Sequence, residues 1–136
     1  MRDSLYDDTV ARPALAIASR TAAATVNGIT VDKNYQRNQF RSVMFIVHTG
    51  TITDGTTTFA MQDSPDNTNW TAVDAQYRQG TLPVVVAAND DITYEIGYTG
   101  SQRYVRLTAT LAGATTGQVL GATCIMSDPR KTPVTH

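Results

Sequence analysis

Few side chains in this sequence could act as acids, bases, nucleophiles or metal ligands, and their spacing decides which chemistry is open to them. Glycosidic or ester hydrolysis by paired carboxyl groups needs two of them at a set separation, one with a raised pKa. The chain has a single glutamate, Glu95, and its other acidic side chains are aspartates. Asp54, Asp63, Asp66, Asp90 and Asp91 fall in turn signals, where an aspartate satisfies nearby backbone N–H groups. A Ser/His/Asp or Cys/His centre would have to use His48, because His136 sits in the tail, and no G-x-S-x-G elbow accompanies it. Cys124 sits in the alternating run Val119–Met126, which reads as a small core residue. Two histidines and one cysteine, widely separated, give no zinc-ligand spacing. Asp63-Ser-Pro-Asp-Asn-Thr-Asn69 is rich in oxygen but lacks the alternation and terminal glutamate of an EF-hand, so it reads as a backbone-capping turn, with a weak calcium site the lesser reading. Gly97-Tyr98-Thr99-Gly100 lies between two strand patterns with no helix behind it, and without aligned helix N–H groups it is a turn and not a phosphate loop. No enzyme is expected, and no cofactor or metal.

The remaining chemistry is that of a surface. Arg103 and Arg106 lie close to Tyr98 and Tyr104, with Tyr94 nearby. Tyrosine and arginine supply rigid contact area and bidentate hydrogen bonds, so this set can form a protein-binding face. Ordinary cross-strand Tyr–Arg stacking on a solvated sheet is the equal alternative.

The elements that must carry these residues are strands. From Gln102 to Leu111, Val105, Leu107, Ala109 and Leu111 point one way while Tyr104, Arg106, Thr108 and Thr110 point the other, the period of a sheet buried on one face. Tyr94–Leu111 therefore reads as strand, glycine-bearing turn, strand. Upstream, Asn27-Gly28 and Asp54-Gly55 are hairpin signals, and Val43–Val47 is apolar on both faces, as in a central strand covered on each side. Leu82–Ala88 and Gln118–Met126 are further strand patterns, and Asn89–Asp91 and Ala112–Gly117 are turns. Trp70 opens a strand pattern and is expected to pack inward. The reading is all-β: a single-domain, jelly-roll-like antiparallel β-sandwich of about eight or nine strands. The body spans residues 13–126, with an N-terminal arm at 1–12 and a proline-containing C-terminal tail at 127–136.

A length of 136 residues suits one core. Net charge of -1 offers no general attraction to nucleic acid or to an anionic membrane, so neither is expected as a partner. No apolar run approaches the roughly 20 residues of a membrane span. The polar N-terminus lacks a signal-peptide core, so export by that route is not expected, and the single cysteine fits synthesis in a reducing compartment.

Two blocks carry a resemblance. Gln62-Asp-Ser-Pro-Asp-Asn-Thr-Asn-Trp-Thr-Ala-Val73 and Ile96-Gly-Tyr-Thr-Gly-Ser-Gln-Arg-Tyr-Val-Arg-Leu107 together resemble small head-associated proteins of tailed bacteriophages, over roughly residues 40–126. Among these the chain looks most like a capsid cement, or decoration, protein of jelly-roll type. The resemblance implies a non-enzymatic virion component on the outer surface of the head, bound to the major capsid protein and bracing its lattice. Many small contacts repeated by symmetry add up through avidity, and a protein on a symmetry axis is expected to be a homo-oligomer, a dimer first and a trimer next. The arms can lie along neighbours. The protein-contact candidates are then Tyr6 and Arg12 in the N-terminal arm, Tyr98, Arg103, Tyr104 and Arg106 in the strand pair, and Arg130 and Lys131 in the tail. A carbohydrate-binding module using Trp70 and the Asp63–Asn69 loop is the leading rival, and a low-copy head-completion or tail component is the third reading.

Overall fold

The alternation at the end of the chain's longest pattern is realised in the computed structural model, which describes residues 4–136: Val105, Leu107, Ala109 and Leu111 are all buried. They lie on β10 (Tyr104–Ala112), one of eleven strands that form two antiparallel sheets. The first sheet runs β1 (Val10–Arg20), β11 (Gln118–Ser127), β4 (Ser42–Ile52), β9 (Thr93–Tyr98) and β7 (Arg78–Gln79). The second runs β2 (Ala24–Asn27), β10, β5 (Thr56–Ser64) and β6 (Thr71–Ala72), with β3 (Val31–Asp32) also beside β10 and β8 (Val84–Val85) beside β5. Apart from the small pieces β3, β7 and β8 and the β5–β6 hairpin within the second sheet, the chain crosses from one layer to the other at each step, in the order of a jelly roll. The expected eight or nine strands become eleven because pieces of only two residues pair where the chain crosses between layers.

Several turn signals act differently from their local reading. Asn27-Gly28 closes no hairpin: β2 and β3 both pair with β10, one after the other, so the chain runs straight on. Gly28 donates its N–H to the Leu107 carbonyl at 2.7 Å, while Ile29 donates to the Ala14 carbonyl at 2.7 Å. Asp54-Gly55 joins β4 to β5, which belong to opposite sheets. The same holds for Asn89–Asp91, for residues 113–117 and for the turn inside Tyr94–Leu111. β9 pairs with β4 and β7, and β10 with β2, β3 and β5, so the expected strand pair is an arch between layers and not a hairpin. Turn residues fix a change of direction, but two strands with a shared apolar side gain more by burying it face to face than by pairing edge to edge. Asp63–Asn69 does close a hairpin, with Gln62 opposite Ala72 and Asp63 opposite Thr71.

The core lies between the layers, where Phe45, Ile96, Val105, Leu107 and Cys124 are fully enclosed. Burial pushes the Cys124 thiol up to about 11, as expected of a core cysteine. β4 is central, as its composition requires, but only one of its faces is covered. Val43, Phe45 and Val47 are buried, whereas Met44 and Ile46 are half-exposed on the outside of the first sheet.

Residues 4–12 of the N-terminal arm pack against the C-terminal tail, while residues 1–3 of that arm lie outside the described residues. Val10, Ala11 and Arg12, counted with the arm in the sequence, pair with Met126, Ile125 and Cys124 as the start of β1. Before them, Leu5–Asp8 form one helical turn, α1, capped by the Ser4 hydroxyl, which accepts from the Tyr6 N–H at 3.2 Å. Val134 donates its N–H to the Asp7 carbonyl at 2.8 Å, and its side chain is buried in the core. The Asn38 side chain holds Thr135 by two hydrogen bonds, at 2.8 and 3.0 Å.

A Cβ placed on Gly28 would lie 2.5 Å from the Ala14 oxygen and 2.6 Å from the Leu107 oxygen, both backbone. Gly28→Ala should therefore cost about 1–3 kcal/mol in urea denaturation. Gly50→Ala, whose Cβ would meet Val119 at 3.4 Å, should cost clearly less.

Candidate protein-contact surface

The outer side of the second sheet carries the predicted Tyr–Arg row. Along β10, Tyr104, Arg106 and Thr110 face outward, opposite Ser64, Gln62 and Thr58 of β5. The Arg106 guanidinium lies 4.1 Å over the Trp70 ring and donates two hydrogen bonds to Gln62 Oε1, at 3.0 and 2.8 Å. Trp70 is thus on the outer face and half-exposed, not packed inward, because β6 pairs in the plane of the sheet with Ala72 opposite the outward Gln62, and the pleat puts residue 70 on that same side, next to the cation. Arg103 lies 4.9 Å over the Tyr104 ring and makes a bidentate ion pair with Asp32, both distances 2.9 Å. That pair holds the Asp32 carboxyl below its usual range and raises Arg103. The row is therefore present, and each arginine is stacked and hydrogen-bonded within the chain.

Tyr98 does not belong to this surface. It is 1% exposed, and its hydroxyl donates to Asp63 Oδ2 at 2.8 Å across the sandwich while accepting from the Gln102 N–H at 3.3 Å. Its ring fills the space where a Gly100 side chain would stand, and burial with the Asp63 carboxylate drives its pKa far above the ordinary tyrosine value. The alternating pattern placed Tyr98 beside Arg103 in sequence, but the arch turns its ring inward under the end of the sandwich.

The other candidates gather at that same end, where the segment 33–41, the 99–103 arch, the tail and the N-terminal helical turn meet. The Arg12 guanidinium stacks 4.1 Å from the Tyr35 ring and donates to the Tyr35 hydroxyl. Tyr6, 69% exposed, stacks on His136 with ring centroids 4.1 Å apart. Arg130 donates to Gln39 Oε1 at 3.0 Å, and Lys131 is exposed in the tail. A cleft of about 550 Å³ opens between these segments, lined by Lys33, Arg41, Arg103 and Arg130 and floored by Phe40. Sequence reasoning passed over Lys33 and Arg41. Lys33 lies in the stretch Asp32–Gln39, which reads as a polar linker, and Arg41 just beyond it, and only the fold brings residues 33, 41, 103 and 130 together.

The groups discounted for chemistry are accounted for by geometry. Asp66 Oδ1 accepts from the N–H groups of Thr68 and Asn69 and from the Ser64 hydroxyl, and Oδ2 from the Asn69 amide, which together pull its pKa well below the usual carboxylate range. His48 is exposed on the first sheet and shares a 2.8 Å hydrogen bond with Thr93 Oγ1. Among the described residues no cluster of three His, Cys, Asp or Glu could hold a metal ion, and no helix is long and apolar enough to cross a membrane.

No protein-family model and no curated protein matches the chain. Among solved structures, the crystal structure of PBSX exported protein XepA is similar with a TM-score of 0.61 at 15% identity. The match covers 93% of this chain and 40% of that one, so the chain spans well under half of that neighbour's length. At that identity the likeness is one of fold.

Tyr98→Phe should destabilise the protein by about 1–3 kcal/mol, since it leaves the Asp63 carboxylate without its buried donor. Chemical denaturation measures it, and an unchanged midpoint would contradict the cross-layer bond. A second expectation concerns acid. Asp32 and Asp66 have folded pKa values below their unfolded ones, so their contribution is present above about pH 4 and is lost as pH falls through the lower folded values. Thermal melts between about pH 7 and pH 2 should show Tm falling below about pH 4, and Asp66→Asn should shallow that fall.

Proposed function

We propose that this chain is a structural protein of a bacteriophage particle that binds the outer surface of the head and braces the major capsid protein lattice. The observation that carries this reading is the outer face of the second sheet, a mostly uncharged strand surface on which Tyr104, Arg106 and Trp70 are held by stacking and hydrogen bonds. Pre-ordered aromatic and arginine side chains lose little entropy on docking, which suits a protein–protein contact repeated many times. The fold shared with an exported protein of the phage PBSX supports a phage origin. The low net charge suits a partner that is protein and not DNA. In this reading the protein is not an enzyme. Its oligomeric state follows the symmetry site it occupies, with a dimer favoured and a trimer next.

That neighbour is an exported protein, which favours a second reading, in which the chain is a phage product released with the lysate and absent from particles. Quantitative gel densitometry of purified particles separates the two. A decoration protein should approach the copy number of the major capsid protein, whereas a head-completion or tail component would appear in a few copies. Absence from washed particles together with abundance in the cleared lysate would establish the second reading. On particles, Arg106→Glu should lower occupancy by about tenfold or more, because it unstacks Trp70, removes the donors to Gln62 Oε1 and reverses the charge of the contact face. Unchanged occupancy would move the contact away from this face.

A further inference from the structure

We infer that the cleft at the end of the sandwich is a binding site for the carboxylate groups of an acidic peptide segment, with Lys33 as its buried anchor. Lys33 is only 9% exposed, an unusual burial for an ammonium group. Its Nζ donates to the Gly100 carbonyl at 2.9 Å and lies 5.4 Å from the centre of the Tyr98 ring. Among the described residues no carboxylate stands within ion-pair distance of it, because the two ion pairs present are Arg41–Asp128 and Arg103–Asp32. Asp63 supports the charge from farther away, while its own carboxylate is occupied by the Tyr98 hydroxyl. A buried cation with one neutral acceptor has lost most of its hydration without a counter-ion in return, and an incoming carboxylate supplies one.

The surroundings repeat the preference. Four cationic side chains and no acidic one line the cleft. Asp32 and Asp128 hold Arg103 and Arg41 by one side each, which orients the guanidinium groups and leaves further N–H donors to spend. In the same wall the Asn34 Oδ1 is buried without a donor. A peptide bearing carboxylates also brings backbone N–H groups, and so meets both demands, whereas a bare inorganic anion meets only the first. Gln39, which lines the cleft, has φ 52°, and Gln36 and Arg37 in the segment leading to it have φ 49° and 63°, a left-handed conformation that non-glycine residues rarely adopt. Phe40 gives the floor an apolar surface for the aliphatic part of a glutamate side chain.

This assignment does not depend on whether the chain decorates a head, and its test uses the isolated protein. Backbone amide and lysine side-chain NMR signals would be followed during titration with acetyl-Glu-Glu-Glu-amide at low salt. Shifts are expected to saturate, to concentrate at residues 33–41, 100–103 and 130, and to vanish with the glutamine counterpart. Lys33→Met should weaken the Kd by about tenfold or more. Arg130→Gln, an exposed change in the tail, should weaken it several-fold and serves if the first variant fails to fold. Shifts spread evenly over Arg106, Lys131 and the cleft, or equal shifts with the glutamine peptide, would overturn the site. Saturation by inorganic phosphate alone at the same concentrations would overturn the peptide assignment, as would tighter binding of a short DNA duplex.

Discussion

The Tyr98 hydroxyl on Asp63 is the contact on which the working end of this protein depends. Tyr98 ends β9 in one layer and Asp63 lies on β5 in the other, so a single hydrogen bond of 2.8 Å spans the sandwich where the chain crosses over. The crossing is possible because residue 100 has no side chain. A Cβ there would sit 2.4 Å from the Tyr98 oxygen. Gly100 in turn offers its carbonyl to Lys33, and the backbone of Lys33 is fixed on both sides, by the Arg103 carbonyl at 3.0 Å and the Phe40 N–H at 2.7 Å. Ring, glycine and ammonium thus form one stack, and the cleft is its outer side.

The two ends of the sandwich solve the same problem by different means. Every connection between layers leaves backbone N–H groups with no strand partner, and these must be satisfied locally. At the end away from the cleft a single carboxylate does most of it: Asp54 accepts from the N–H groups of Thr115, Thr116 and Gly117, so the arch after β4 and the arch before β11 are tied together. At the cleft end the satisfaction is shared among side chains and the tail, through Asn38, Thr135, Val134 and Asp7. The first arrangement ties two arches with one anion; the second leaves a cleft with cations around it.

Exposed apolar side chains follow a similar logic. Ile17 is 80% exposed where β1 bulges, and a Cβ on its neighbour Gly121 would lie 2.4 Å from the Ile17 side chain. Together with Met44 and Ile46 it makes the outer side of the first sheet more apolar than that of the second, where Thr58, Thr110, Gln62 and Arg106 predominate. The two layers therefore present unlike faces, although both bury the same kind of residue inside.

What the sequence determined alone is what depends on neighbours within a few residues. The two-residue alternation of Val105–Leu111 decides which side chains enter the core, Asp63–Asn69 decides a capped hairpin, and the lack of helical period decides an all-β class. The Tyr104–Arg106 row was legible for the same reason, since the pleat places alternate residues on one face. The tertiary structure decided everything that depends on which layer a strand joins. Asn27-Gly28 and Asp54-Gly55 carry the local signature of a hairpin, yet the free energy of burying both apolar faces against each other sends the chain across the gap or straight on. That choice turned Tyr98 inward, brought Trp70 under Arg106, and gathered Lys33, Arg41, Arg103 and Arg130 from four separate segments around one cleft. No local pattern encodes such a cluster, because its members are neighbours only once the two sheets have closed on a common core.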